Sequence, residues 1–124
     1  MENERQRVRL RNVASLPVGG TVPFAIPGSE STGFAVNTTQ GLRAWLNRCD
    51  HWPVPLDMDD GDFVSPLSGL VTCKSHGAAY DPASGHCLMG PCRGAQLHAF
   101  ALEIEGEDAW VDCGDPGSLP KLYP

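Results

Sequence analysis

Apolar and polar residues alternate in short runs along this chain, and no long stretch repeats at the 3.6-residue period of an amphipathic helix. Residues 8–16 predict a first strand, stopped by the turn Pro17-Val18-Gly19-Gly20. Residues 21–26 predict a second, with Val22, Phe24 and Ile26 in alternation and Pro27-Gly28 closing it. Residues 33–37 and 42–47 read as a hairpin across Thr38-Thr39-Gln40-Gly41, with Trp45 and Leu46 as core candidates. The rhythm then stops. Pro53, Pro55 and Gly61 break any strand within 49–62, and Asp57, Asp59, Asp60 and Asp62 predict a solvated loop.

Short strands are predicted to resume at 62–64 and 69–72, and again at 77–81 and 86–89 on either side of Pro82-Ala83-Ser84-Gly85. Gly90-Pro91-Cys92-Arg93-Gly94 reads as an irregular loop. Residues 97–105 alternate once more and turn at Gly106-Glu107-Asp108 into 109–112, a terminal hairpin. The pattern predicts an all-β fold, a single domain over 8–112. An antiparallel β base built from 8–47 and 97–112 carries a smaller inserted unit, about 48–96. Residues 113–124, rich in Pro and Gly, are expected to form a C-terminal tail on the surface, and no internal repeat is present.

Composition narrows the function classes. The chain has 124 residues, 41% of them hydrophobic, which supports a modest core that a bound metal would reinforce. Nine Lys+Arg against 15 Asp+Glu give a net charge of −6, a poor fit to nucleic acid or an anionic membrane and a better one to a basic protein surface. Neither a signal peptide nor a membrane span is read, so the expected compartment is the cytoplasm. There the five cysteines are expected to be reduced unless metal-bound, and the odd count argues against a pure disulfide framework.

The chemistry concentrates in two Cys-His pairs, Cys49-Asp50-His51 and Cys73-Lys74-Ser75-His76. Thiolate and neutral imidazole together suit zinc or an iron–sulfur centre. Structural zinc commonly pairs Cys with Cys and His with His. One Cys and one His in each loop instead suit a binuclear centre with both thiolates on one iron and both imidazoles on the other, so iron–sulfur is favoured and zinc is the other reading. Cys87 and Cys92 read as reduced packing residues in preference to a disulfide or an extra ligand, Cys113 as a thiol beyond the last strand, and His86 and His98 as surface or strand histidines.

Cys49-x-His51 with Leu56, then Cys73-x2-His76-Gly77-Ala78, Tyr80-Asp81, Gly85 and Gly90-Pro91, resembles the Rieske [2Fe–2S] pattern, most closely over residues 49–97. The resemblance implies one [2Fe–2S] cluster, with Cys49 and Cys73 on one iron, and His51 and His76 on the other through ring Nδ1. Pro91 would lie in a loop covering the cluster. Trp52 and Pro53, directly after His51, read as shelter for the cluster edge in preference to part of a docking surface. In quinol-oxidising relatives each ligand loop carries a further Cys and the two form a disulfide; here those positions are Val54 and Ser75. A serine that bonds a bridging sulfide in such relatives corresponds to Ala78. Both differences resemble the ferredoxins of bacterial oxygenase systems, whereas Tyr80 stands where Phe is common in that group, and its hydroxyl would reach the Cys49 sulfur and raise the potential.

Replacing two thiolates by neutral imidazoles makes reduction easier, which is why such centres reach roughly −150 to +300 mV rather than about −400 mV. Loss of a proton from a ligating imidazole would lower the potential as pH rises. The aspartates at 57, 59, 60 and 62 would push the potential down if close to the cluster, and a low-to-middle value is expected. The same aspartates are read either as a solvated loop or as a patch steering a basic partner. The implied role is a one-electron carrier, not itself an enzyme, between an NAD(P)H-linked flavoprotein reductase and a terminal oxygenase or other redox acceptor. A redox-sensing or regulatory module, or a structural zinc module on the same scaffold, are the alternatives.

Overall fold

A computed structural model describes residues 6–49, 55–57, 63–65, 67–74, 77–90 and 94–120. Among them are strands β1 (Gln6–Leu10), β2 (Thr21–Ala25), β3 (Thr32–Thr38), β4 (Gly41–Leu46), β5 (Val71–Thr72), β6 (Ala79–Tyr80), β7 (Cys87–Met89), β8 (Ala99–Glu105) and β9 (Asp108–Gly114), with short 3-10 turns at Val13–Ser15 and Pro116–Ser118. All strand pairs are antiparallel. A six-stranded sheet runs β1-β9-β8-β4-β3-β2, and a three-stranded sheet runs β5-β6-β7. The larger sheet thus draws on both ends of the chain and the smaller one on its middle. No helix among the described residues is long and apolar enough to cross a membrane.

Alternation along the strands decides which core each side chain joins. In β9, Ala109, Val111 and Cys113 are buried while their neighbours are half-exposed, the period-2 signature of a sheet with one wet face. β3 is different, because it is buried on both faces. Its Ala35 joins Leu10, Phe24, Leu46, Phe100 and Val111 in the base core. Its Phe34 and Val36 instead join Trp45, Leu56, Phe63, Val71, Tyr80 and Leu97 in the core of the smaller unit. β2 is an edge strand, which is where Pro23 does no harm, since a missing N–H costs nothing facing solvent.

The smaller unit is fixed to the base through β4. Trp45 Nε1 donates to the Pro82 carbonyl at 3.0 Å and Arg43 Nε to that of Ala83 at 3.1 Å, so the turn between β6 and β7 rests on two β4 side chains. Gly85 lies so near the Trp45 ring that a Cβ there would stand 2.8 Å from it, and its φ of +80° lies where a side chain is strained. The Phe34 and Phe63 rings stack at 4.1 Å, a contact of about 0.5–1.5 kcal/mol that holds the chain where it leaves the acidic run.

Three expectations need correction. The strand predicted over 8–16 ends at Leu10: Asn12 turns the chain left-handed at φ 58°, its N–H bonds to Asp108 Oδ1 at 2.9 Å, and Val13 buries itself in the base core from a 3-10 turn. An Asn at such a position tolerates the left-handed region, and periodicity does not report it. The strand predicted at 62–64 is, among the described residues, one bridge from Val64 to Val71. The tail is not all surface. β9 runs to Gly114, Asp115 Oδ1 accepts from Gly117 N at 2.9 Å to cap the last 3-10 turn, and Leu119 returns into the base core.

Candidate metal centre

Cys49 stands three residues beyond β4, and Cys73 directly follows β5. Both are fully buried in the apolar cluster shared by Leu56, Phe63, Val71, Ala78 and Tyr80, and neither is in a disulfide. Cys73 N donates to the Ala78 carbonyl at 2.8 Å and Gly77 N to that of Cys73 at 2.9 Å, so the loop leaving β5 brings Gly77 and Ala78 back onto Cys73. Gly90 presses on this loop: a Cβ there would lie 3.0 Å from Ala78 Cα and from the Gly77 carbonyl. The Tyr80 hydroxyl, buried on β6, is 3.2 Å from Cys49 Sγ.

The remaining predicted ligands, His51 and His76, lie outside the described residues, as do Trp52, Pro91, Val54, Ser75, Cys92, Asp59, Asp60 and Asp62. Among the described residues no group of three or more His, Cys, Asp or Glu comes together as a metal site. The described half of the donor set fits a metal centre. Apolar burial disfavours a bare thiolate, whereas a bound metal ion deprotonates a coordinating thiol outright, and a hydroxyl beside the sulfur is the outer contact that tunes such a ligand. Ala78 is fully buried and offers no hydroxyl.

A polar network that sequence reasoning passed over sits behind Cys49. Asp57, predicted as part of a solvated loop, is buried, and Asn47 Nδ2 donates to its Oδ1 at 3.0 Å. Asn47 Oδ1 accepts from Leu56 N at 2.8 Å, and Nδ2 also donates to Thr32 Oγ1 at 3.1 Å. A cavity of about 360 Å³ lined by Phe24, Thr32, Asn47, Asp57 and Phe63 opens against this pair. An Asn at a strand end and an Asp in an acidic run are ordinary in sequence, so no local signal marks them.

Cys87 is disulfide-bonded, which corrects the reduced packing role predicted for it. Its Sγ also lies 3.4 Å from the Met89 carbonyl oxygen. Compartment reasoning sets a default redox state but says nothing about which sulfurs the backbone brings into bonding range. Cys113 is a thiol as read, but it lies within β9 and faces the base core, where burial and then the Asp112 carboxylate push its pKa up to about 11. His86 and His98 are exposed, the latter edge-on to Phe100 at 5.5 Å.

Comparison with known proteins follows this geometry. A family model described as the Rieske [2Fe-2S] domain matches residues 6–106. No curated protein matches the chain. Among solved structures, the ferredoxin of carbazole 1,9a-dioxygenase from Nocardioides aromaticivorans IC177 is 23% identical at TM-score 0.64, covering 86% of this chain and 96% of that one. A chain in a complex of reduced oxygenase and oxidized ferredoxin in carbazole 1,9a-dioxygenase is 18% identical at TM-score 0.67, covering 88% and 94%. The terminal oxygenase of carbazole 1,9a-dioxygenase from Novosphingobium sp. KA1 is 18% identical at TM-score 0.70, with 98% of this chain matched to 32% of that one. At these identities the likeness is one of fold.

Proposed function

Because the chain belongs to the Rieske [2Fe–2S] domain family, we propose that it is a one-electron carrier that serves a terminal oxygenase or another redox acceptor and is recharged by an NAD(P)H-linked flavoprotein reductase. In this reading Cys49 and Cys73 hold one iron of a single [2Fe–2S] cluster, and His51 and His76 hold the other. When bound, such a cluster supplies a reversible one-electron couple. The chain's own residues do the rest. Leu56, Phe63, Val71, Ala78 and Leu97 give the sulfurs an apolar, water-poor wall. The Tyr80 hydroxyl donates to Cys49 Sγ once that sulfur is a thiolate, and so favours the state with more charge on sulfur.

The observation that carries the reading is the burial of Cys49 and Cys73 in one apolar cluster, with a tyrosine hydroxyl on one of the sulfurs. The oxygenase as partner is supported by the solved complex of an oxygenase with a ferredoxin of this fold. The acidic patch offered for steering a basic partner is smaller than the sequence suggested, since Asp57 is buried.

Anaerobic purification with iron and sulfide analysis, followed by electron paramagnetic resonance of the reduced protein during a potential titration, tests the proposal. The expected result is two irons and two sulfides per chain and a one-electron curve within roughly −150 to +300 mV. A colourless protein containing zinc and no sulfide would sink it. Stopped-flow oxidation of the reduced protein by a terminal oxygenase then tests the partner, and a rate indifferent to salt removes electrostatic steering.

A further inference from the structure

Asn47 uses its whole carboxamide. Both Nδ2 hydrogens are donated, to Thr32 Oγ1 and Asp57 Oδ1, and Oδ1 accepts from Leu56 N. Its backbone N–H bonds to the Thr32 carbonyl at 2.9 Å as well. Only an amide offers two donors and an acceptor on so short a stem, and at 4% exposure the Leu56 N–H behind it has little access to water.

The line of bonds continues. The Leu56 carbonyl accepts from Lys74 N at 3.0 Å, so the Leu56 residue is clamped by Asn47 on its N–H and by Lys74 on its carbonyl. Asn47 lies two residues before Cys49, and Lys74 lies one after Cys73. Leu56 is therefore a rung between the two segments that carry the sulfurs, and Thr32 ties one end of it to β3 of the base.

We propose that Asn47 is a positioning residue: acting through Leu56, it fixes the placement of Cys49 relative to Cys73, while Asp57 holds its carboxamide in the one orientation that serves Leu56. This rests on the reading that the chain holds a [2Fe–2S] cluster. Cluster binding needs the two sulfurs at a set separation, and a spacer whose buried hydrogen bonds are all satisfied resists drift better than apolar packing alone. A bond that merely stabilises the fold would lower unfolding midpoints without changing the asymmetry around the irons or loosening 55–57 and 71–74 together.

That distinction supplies the test, made on the full-length, cluster-loaded protein. Asn47→Leu removes the acceptor for Leu56 N. Asn47→Asp keeps it but sets two carboxylates together. The exchange Asn47→Asp with Asp57→Asn reverses the polarity of the network, since an aspartate at 47 accepts from Leu56 N, from the new amide and from the Thr32 hydroxyl. Loss of visible absorbance under an iron chelator is followed, with visible circular dichroism to report asymmetry around the irons. Hydrogen exchange is measured on peptides covering 55–57 and 71–74. Each single variant is expected to lose the cluster about tenfold faster or more. The exchange variant is expected to return close to the parent rate and dichroism, and both peptides should exchange faster together in Asn47→Leu.

A loaded parent whose single variants hold the cluster as long as it does, or an exchange variant no better than Asn47→Asp alone, overturns this proposal by itself. A parent without iron and sulfide overturns the carrier reading beneath it as well. If Asn47→Leu fails to fold, the comparison of Asn47→Asp with the exchange variant still decides.

Discussion

Tyr80→Phe isolates one atom. The ring is fully buried on β6, in strand register with Val71 and Cys87, and Phe would fill the same space without the hydroxyl 3.2 Å from Cys49 Sγ. A hydrogen bond to a charged acceptor contributes about 1.5–3 kcal/mol. With the cluster bound, it would be made in both oxidation states and would tighten as the sulfur gains charge. If half its strength depends on redox state, about 0.8–1.5 kcal/mol favours the reduced form. A one-electron couple moves 59 mV per tenfold, or per roughly 1.4 kcal/mol, so the variant's midpoint should fall by about 30–65 mV. Spectroelectrochemical titration of parent and variant in one buffer measures it, with iron analysis confirming that the variant keeps its cluster. A loaded variant with the parent's midpoint, or a higher one, refutes the argument that this hydroxyl tunes the site.

Other positions make separate predictions. Gly90→Ala adds a Cβ 3.0 Å from Ala78 Cα at φ +88°, and the left-handed backbone alone costs roughly 1–2 kcal/mol; denaturant midpoints should drop accordingly, and the cluster should be lost faster. Asp108 has its pKa held below 3.8 by the Asn12 N–H and the Arg9 guanidinium, 2.8 Å away. A depressed carboxylate stabilises the fold above its unfolded pKa, and that stability disappears as pH falls through the folded value. Asp108→Asn should therefore lower stability at neutral pH and flatten its loss below about pH 4, read from unfolding midpoints across pH. The Cys113 pKa is raised, so the stability it lends is whole below pH 9.0 and lost as pH climbs toward about 11. In folded protein at pH 8 this thiol should react with an aromatic disulfide reagent far more slowly than after unfolding.

The order of strands was largely legible, because each hairpin here is local: β3 with β4, β6 with β7, and β8 with β9 announce themselves by alternation on either side of a turn. The nesting of one unit inside the other was legible for the same reason, since alternation stops at Cys49 and resumes near Leu97. The site was partly legible. Tyr80 was placed on the Cys49 sulfur by analogy, and the structure puts it there. What stayed hidden depends on contacts between distant segments. Asp57 looks solvated until Asn47, ten positions earlier, is brought against it. Leu119 looks like tail until the base core receives it. Asn12 ends β1 because Asp108, from the far hairpin, takes its N–H. The Cys87 disulfide depends on which sulfurs the folded backbone brings into range, which redox compartment cannot foretell.

The register of β1 against β9 has a topological consequence. Gln6 lies opposite Gly114, so the chain enters and leaves the sheet side by side, with only a short turn beyond to return Leu119 to the core. A polypeptide can therefore pass into this fold and out again at almost the same point, which lets the whole unit be spliced into a longer protein without opening either sheet. The match of 98% of this chain to 32% of an oxygenase chain is what such a portable cassette looks like.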